Sequence, residues 1–160
     1  MGEGIMSSEN VRKYLEKFNF QDRIREFEDS TATCEEAARV NNCEVGRIGK
    51  SISLWIKDKP IIVVAAGDGK ISNQKFKGTF HTKAKMISGE DVENVIGHKV
   101  GGVCPFVLKD GVEVYLDISI KKYPTTILAC GDKNSVVELK IEELEEISNF
   151  VSWVDICQNI

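Results

Sequence analysis

Ser51-Ile-Ser-Leu-Trp-Ile56, the link Lys57-Asp-Lys-Pro60, and the run Ile61-Ile-Val-Val-Ala-Ala66 decide the fold. Ile52, Leu54 and Ile56 alternate with Ser51, Ser53 and Trp55, a period of two that sends neighbouring side chains to opposite faces of a strand. Lys57 to Pro60 reads as a turn. The six residues that follow are all apolar and mostly β-branched, the pattern of a strand covered on both faces.

Outward from this pair, helical and extended patterns alternate irregularly. Val11, Tyr14, Leu15 and Phe18 fall on one face of a helix, with Ser8 as its cap. Thr33-Cys-Glu-Glu36 is a capping box, opening a short helix through Ala37, Ala38 and Val40. A short helix is predicted over Asn73 to Phe76. Ser88-Gly-Glu-Asp91 is a second capping box, followed by Val92, Val95 and Ile96 on one face and by Gly97 at the C-terminal end. Val112 to Leu116, Thr125 to Ala129 and Val136 to Leu139 are strand candidates, and a last helix runs from about Glu142 to Phe150. Several strand pairs are joined too tightly for parallel crossovers. The expectation is an α+β domain, a mixed, curved sheet with helices around it.

The chain is 160 residues long, 42% hydrophobic and 29% charged, which suits one domain over residues 1–160 with a real core. No apolar run approaches the roughly 18 residues that cross a bilayer, so no membrane partner is expected. Met1 to Met6 has neither a basic nor an apolar stretch and is no secretory signal; it reads as a leader, with Met6 the native start. Cys34, Cys43, Cys104, Cys130 and Cys157 are widely spaced and form no C-x-x-C pair, which argues against a cysteine zinc site. Free thiols without an export signal fit a reducing cytoplasm.

Net charge is -4, yet Lys70, Lys75, Lys77, Lys83 and Lys85 crowd a segment without an acid, +5 over residues 70–85, leaving -9 on the rest. Such a face either attracts phosphates or is simply solvated.

Val100-Gly-Gly-Val-Cys-Pro-Phe106 is the most informative loop. Gly101 and Gly102 permit unusual backbone angles and close ligand approach, and Pro105 stiffens the exit. Its main chain could polarise an ester carbonyl, or the loop is a plain tight turn. Lys50, between Gly49 and the strand, either holds a phosphate or carbonyl oxygen or points to solvent. Asp117, at a strand end, either orients a ligand or caps the next turn. Ser135 has the same two readings. Cys104 as a nucleophile would need a base, and His98 lies six residues away. His81 belongs to the basic segment. Gly67-Asp-Gly69 reads as a turn, not a dinucleotide signature.

Taken in order, Thr31-Ala-Thr33 with Glu36-Ala-Ala38, Ile48-Gly-Lys-Ser51, Val63-Val-Ala-Ala-Gly-Asp68, Gly101-Gly-Val-Cys-Pro-Phe106, Val114-Tyr-Leu-Asp117, Ala129-Cys-Gly131 and Asn134-Ser135 resemble the YbaK / prolyl-tRNA-synthetase-associated family from about Val11 to the C-terminal helix. The resemblance implies a barrel-like mixed sheet and hydrolysis of the ester of a mischarged tRNA, with no metal or cofactor. It implies that Lys50 helps hold the terminal adenosine or phosphate and the aminoacyl ester. It also implies that Gly101, Gly102, Val103, Cys104 and Pro105 grip the ester and place water, and that Asp117 lines the same pocket.

The chain departs from the family pattern in three places. Cys104 stands where serine is common, Val107 replaces a frequent glycine, and Gly131-Asp-Lys-Asn-Ser135 differs from the Gly-Gly-Lys-Arg-Gly of the cysteine-removing branch. The resulting reading is a trans-editing deacylase for tRNA(Pro) carrying a small amino acid. Its site is Lys50 with the loop, Val103, Cys104 and Ser135 contact substrate, and the lysine segment holds RNA. Its partners are the aminoacyl-tRNA acceptor end and prolyl-tRNA synthetase, not DNA. Two other readings stand beside it: a non-catalytic module binding an acceptor end or aminoacyl nucleotide, and a Cys104 hydrolase.

Overall fold

The decisive pair forms a hairpin because its two patterns are satisfied at once. In the computed structural model, which describes residues 3–159, β2 (Gly49–Ile56) pairs antiparallel with β3 (Lys59–Ala66), Leu54 opposite Ile61 and Lys50 opposite Ala65. Ile61 to Ala66 are all buried. Ile62 and Val64 face the main core, while Ile61 and Val63 face a second cluster with Leu54, Phe76, Val154 and Ile156. The turn is tighter than expected. Pro60 belongs to the strand, opposite Trp55, and Lys57 takes a left-handed backbone, φ 55°.

Around the hairpin run α1 (Glu3–Glu16), β1 (Ile24–Glu26), α2 (Cys34–Val40), α3 (Asn73–Phe80), β4 (Lys85–Met86) and α4 (Gly89–Ile96). They are followed by β5 (Glu113–Asp117), β6 (Thr125–Ala129), β7 (Ser135–Lys140), α5 (Ile141–Ile147) and β8 (Ser152–Val154). One sheet has the order β4-β2-β3-β5-β8, the other β1-β7-β6. β3–β5 and β5–β8 are parallel; the remaining pairs are antiparallel, so the sheet is mixed.

The sheets do not close into a barrel. They meet at a single parallel bridge, Ile48 with Ile127, where β2 begins. Contact there is close because Gly49 has no side chain: a Cβ would run into Thr126 Oγ1 and lie 2.8 Å from Leu128 Cδ2. Beyond this corner the sheets diverge. β4 pairs with β2 only at Leu54 and Trp55, and Ile87 N–H reaches Ser53 carbonyl, so the edge of β2 around Ser51 stays open.

Local chemistry accounts for the helix ends. Thr33 forms the expected capping box with Glu36, and Gly97 ends α4 at φ 110°. Ser88 caps differently: its hydroxyl bonds Asp91 Oδ2 at 2.9 Å, not the helix amides. α1 starts before Ser8, which therefore lies inside the helix and does not cap it; residues 1 and 2 of the expected leader lie outside the described residues, and residues 3–6 begin α1. α3 continues to Phe80, whose ring packs 4.8 Å from Phe76 and 5.1 Å from Tyr115. α5 stops at Ile147, and Asn149 at φ 54° turns the chain into β8. Among the described residues no helix is long and apolar enough to cross a membrane.

Candidate active site

The open edge of β2 forms one wall of a cleft of about 370 Å³. Ile48 to Ser53 supply this wall, and Thr31 to Cys34 the turn before α2. Met86, Ile87, Val92, Val100, Gly101 and Val103 supply the opposite side, with Ile127, Ala129 and Val136 at the base of the second sheet. The strand alternation explains the chemistry of the edge. Ile48 carbonyl accepts from Gly67 N–H on the β3 side, whereas Ser53 carbonyl accepts from Ile87 N–H on the β4 side. Ser51 shares the parity of Ser53, so its peptide groups face the unpaired edge. Met86 and Val100, 60% and 65% exposed, stand at the mouth.

Lys50 is the one charged residue lining this cleft among the described residues. Its ammonium does not project freely: it donates to Gly69 carbonyl at 2.5 Å and reaches Gly67 carbonyl at 3.5 Å. Position 67 needs glycine because a Cβ there would strike Val45 carbonyl. Cys34, also on the wall, has its thiol pKa raised by burial and partly offset by the Lys50 charge.

The glycine loop divides between cleft and core. Gly101, at φ 93°, and Val103 line the cleft; no hydrogen bond engages their amides among the described residues. Gly102 is buried beneath them. Its amide donates to Lys99 carbonyl at 2.9 Å, and its carbonyl accepts from Gly131 N–H at 3.0 Å. Pro105 is buried, and Cys104 points inward at 0% exposure. There His98 Nε2 lies 2.7 Å from Phe106 carbonyl and 3.5 Å from Cys104 Sγ, while Nδ1 meets the Ser7 hydroxyl. Burial pushes the Cys104 thiol up to about 12 and lowers the His98 pKa. A thiol so protonated, beside a neutral imidazole already bonded on both nitrogens, is no nucleophile. This surrounding gives the Cys104 hydrolase reading no support, and Cys104 faces the core rather than the cleft.

Two further placements differ from expectation. Asp117 is not beside the loop. Fully buried at the far end of β5, it accepts from Ser119 N–H at 2.9 Å and Ile156 N–H at 2.7 Å, capping a 3-10 turn and tying down the C-terminal segment. Ser135 is also outside the cleft wall: its hydroxyl donates to Asp132 Oδ1 at 2.8 Å within a turn. That turn holds the Thr31 segment, with Thr31 N–H on Lys133 carbonyl at 2.6 Å and Asn134 Nδ2 on Asp29 carbonyl at 3.2 Å.

The lysine segment is also divided. Lys75 pairs with Asp155 at 3.0 Å, so its charge is compensated, while Lys70, Lys77, Lys83 and Lys85 are exposed. Lys85 is next to Met86 at the cleft mouth. Val107 takes φ 54°, a left-handed backbone that strains a β-branched residue.

The sequence did not single out Thr31, Ser51, Met86 and Val100 as individual wall residues, although Thr31, Ser51 and Val100 sat inside quoted motifs. Their signal is three-dimensional: only the divergence of the two sheets turns them toward one space. No group of three or more His, Cys, Asp or Glu among the described residues is arranged to hold a metal ion.

Residues 28–147 match the aminoacyl-tRNA editing domain model. The uncharacterized protein YwhH of Bacillus subtilis (strain 168) is 44% identical over 155 residues, covering 96% of this chain and 99% of its own. A proline–tRNA ligase of Caldicellulosiruptor bescii is 26% identical over 132 residues, 78% of this chain but 23% of the ligase. A solved structure of a proposed trans-editing enzyme for prolyl tRNA synthetase superposes with a TM-score of 0.83 at 24% identity, covering 96% of this chain and 98% of its own; at that identity it speaks for the fold. The chain belongs to the aminoacyl-tRNA editing domain family.

Proposed function

We propose that the protein is an aminoacyl-tRNA deacylase acting in the cytoplasm, hydrolysing the ester between a small amino acid and the 3′ end of a mischarged tRNA. The observation that carries the reading is the cleft itself, where Lys50, Gly101 and Val103 meet around a space for a small aminoacyl group. The likeness to a segment of a proline–tRNA ligase supports tRNA(Pro) as the carrier and prolyl-tRNA synthetase as the enzyme whose errors are corrected.

An aminoacyl ester is already activated, so positioning and charge stabilisation can supply most of the acceleration. The Gly101 and Val103 amides, engaged by no hydrogen bond among the described residues, would be donors for the developing oxyanion. Lys50 adds positive potential at the wall, held by two carbonyls in one orientation. The main-chain edge at Ser51 offers donors and acceptors to the substrate ammonium and an attacking water. Exposed Lys77, Lys83 and Lys85 supply a cationic approach for RNA phosphates.

A second reading, an acceptor-end binding module, is favoured by one observation: among the described residues no histidine, aspartate or glutamate lines the cleft to act as a general base. Catalytic amounts of protein incubated with a panel of charged tRNAs separate the two. Multiple turnover that falls by at least about 10²-fold in Lys50→Ala, in line with loss of a transition-state electrostatic contact, supports the deacylase. Binding without turnover supports the module. Turnover untouched by Lys50→Ala refutes the proposed site.

A further inference from the structure

From Val103 to Leu108 the chain makes no main-chain-to-main-chain hydrogen bond among the described residues. Before this stretch the loop is pinned at Gly102, by Lys99 carbonyl and Gly131 N–H. After it Lys109 N–H bonds Ile96 carbonyl at 3.0 Å. In between, the hydrogen-bonding anchor is Phe106 carbonyl, and side chains supply the bonds: His98 Nε2 at 2.7 Å and Cys104 Sγ at 3.8 Å. His98, 1% exposed, opens the loop directly after Gly97 ends α4, and Phe106 lies at the other end. The imidazole therefore spans the loop from inside, behind the Gly101 and Val103 amides that face the cleft.

The tautomer follows from the partners. A carbonyl only accepts, so Nε2 carries the proton. Burial lowers the ring's pKa and keeps it neutral, which leaves Nδ1 bare, and the Ser7 hydroxyl of α1 donates to it. The same turn of α1 backs the loop a second time. Its Ser7 and Ser8 main chain crowds Gly131, where a Cβ would lie 3.0 Å from both residues, and Gly131 N–H holds Gly102 carbonyl. A leucine would fill the His98 position without burying two ring nitrogens. What leucine lacks is a directed bond across the loop.

Resting on the deacylase reading, in which the Gly101 and Val103 amides meet the developing oxyanion, we infer that His98 is a positioning residue: oriented by Ser7, it fixes the Phe106 peptide and through it the two amides. His98 does not line the cleft, so it acts through the loop and not on the substrate. Its loss should appear in kcat, because amides moved off the oxyanion position fail in the transition state while ground-state binding survives.

The test is steady-state deacylation of a charged tRNA that the wild type turns over. His98→Leu should lower kcat by about 10²-fold with KM little changed. His98→Gln sets an amide N–H where Nε2 stood and should recover most of kcat, whereas His98→Asn is too short to reach Phe106 and should not. Ser7→Ala leaves Nδ1 without its donor and should lower kcat in part. Val154→Ala, in the second core cluster, controls for lost stability and should keep the wild-type kcat. A wild-type kcat in His98→Leu overturns the inference, as does an equal loss in the Gln and Asn variants, which would make the ring a mere filler. If His98→Leu does not fold, Ser7→Ala decides: a lower kcat at unchanged KM supports the inference, and an unchanged kcat overturns it. If the wild type hydrolyses no ester, the deacylase reading falls and backbone NMR relaxation decides separately. Gly101 and Val103 order parameters that drop in Ser7→Ala and His98→Asn but not in His98→Gln keep the positioning role; equal values in all variants overturn it.

Discussion

Gly102→Ala should damage both stability and the cleft. A Cβ at position 102 would lie 2.5 Å from Gly131 carbonyl carbon, 2.6 Å from Asp132 nitrogen and 2.7 Å from Gly131 oxygen. These are main-chain atoms, so no rotamer change relieves them. Non-bonded carbons rest at about 3.5–4.0 Å, so the 101–105 loop and the 131–135 turn must part by about an ångström. That stretches the Gly131 N–H bond to Gly102 carbonyl, now 3.0 Å. Overpacking costs about 1–3 kcal/mol and a lost hydrogen bond about 1 kcal/mol more. A total near 3 kcal/mol lowers Tm by about 6–12 °C in a domain of this size. A shift of that size in the Gly101 and Val103 amides should also reduce deacylation by about 10²-fold. Circular-dichroism melting and single-substrate kinetics measure both effects. Gly78→Ala is the control: nothing lies within 4 Å of its added Cβ in α3, and it should gain up to about 1 kcal/mol from helix propensity. A Gly102→Ala protein that melts with the wild type and keeps its turnover would refute the packing argument and the role given to the loop.

Asp117→Asn should cost about 2–3 kcal/mol, because one of two buried amides loses its acceptor, while kcat and KM of the folded protein stay unchanged; a selective loss of kcat in urea-stable protein would return Asp117 to the chemistry. At Val107 the left-handed backbone should make Val107→Gly more stable than Val107→Ala by about 1 kcal/mol, and the opposite order in urea midpoints would remove the strain. His98 has its pKa lowered by burial, so the unfolded chain binds the proton more readily. The stability it contributes is present above the usual value of 6.5 and falls as pH drops below it toward the folded pKa. His98→Gln should flatten this acid limb, and an identical pH profile in the variant would assign the limb elsewhere.

The elements legible in the sequence were those whose signal is local. The β2–β3 hairpin rests on alternation followed by a continuous apolar run, α2 on a capping box, and the end of α4 on Gly97; all three take shape where their residues call for it. β1, β4 and β8 are two or three residues long and exist because a neighbour pairs with them, which no window of sequence records. Open-sheet geometry was hidden for a related reason. Closure depends on how far two sheets stay together beyond the Ile48–Ile127 bridge, a property of twist and not of pattern.

The candidate site was legible in part, and the division follows chain direction. Lys50, Gly101 and Val103 reach one cleft because a strand edge and a loop both turn toward it. Cys104 is adjacent in sequence to Val103 but faces the other way, toward His98, and Asp117 sits at the end of a strand whose far side is built by the C-terminal segment. Motif order could announce the family, but it could not say which neighbours in a motif share a face.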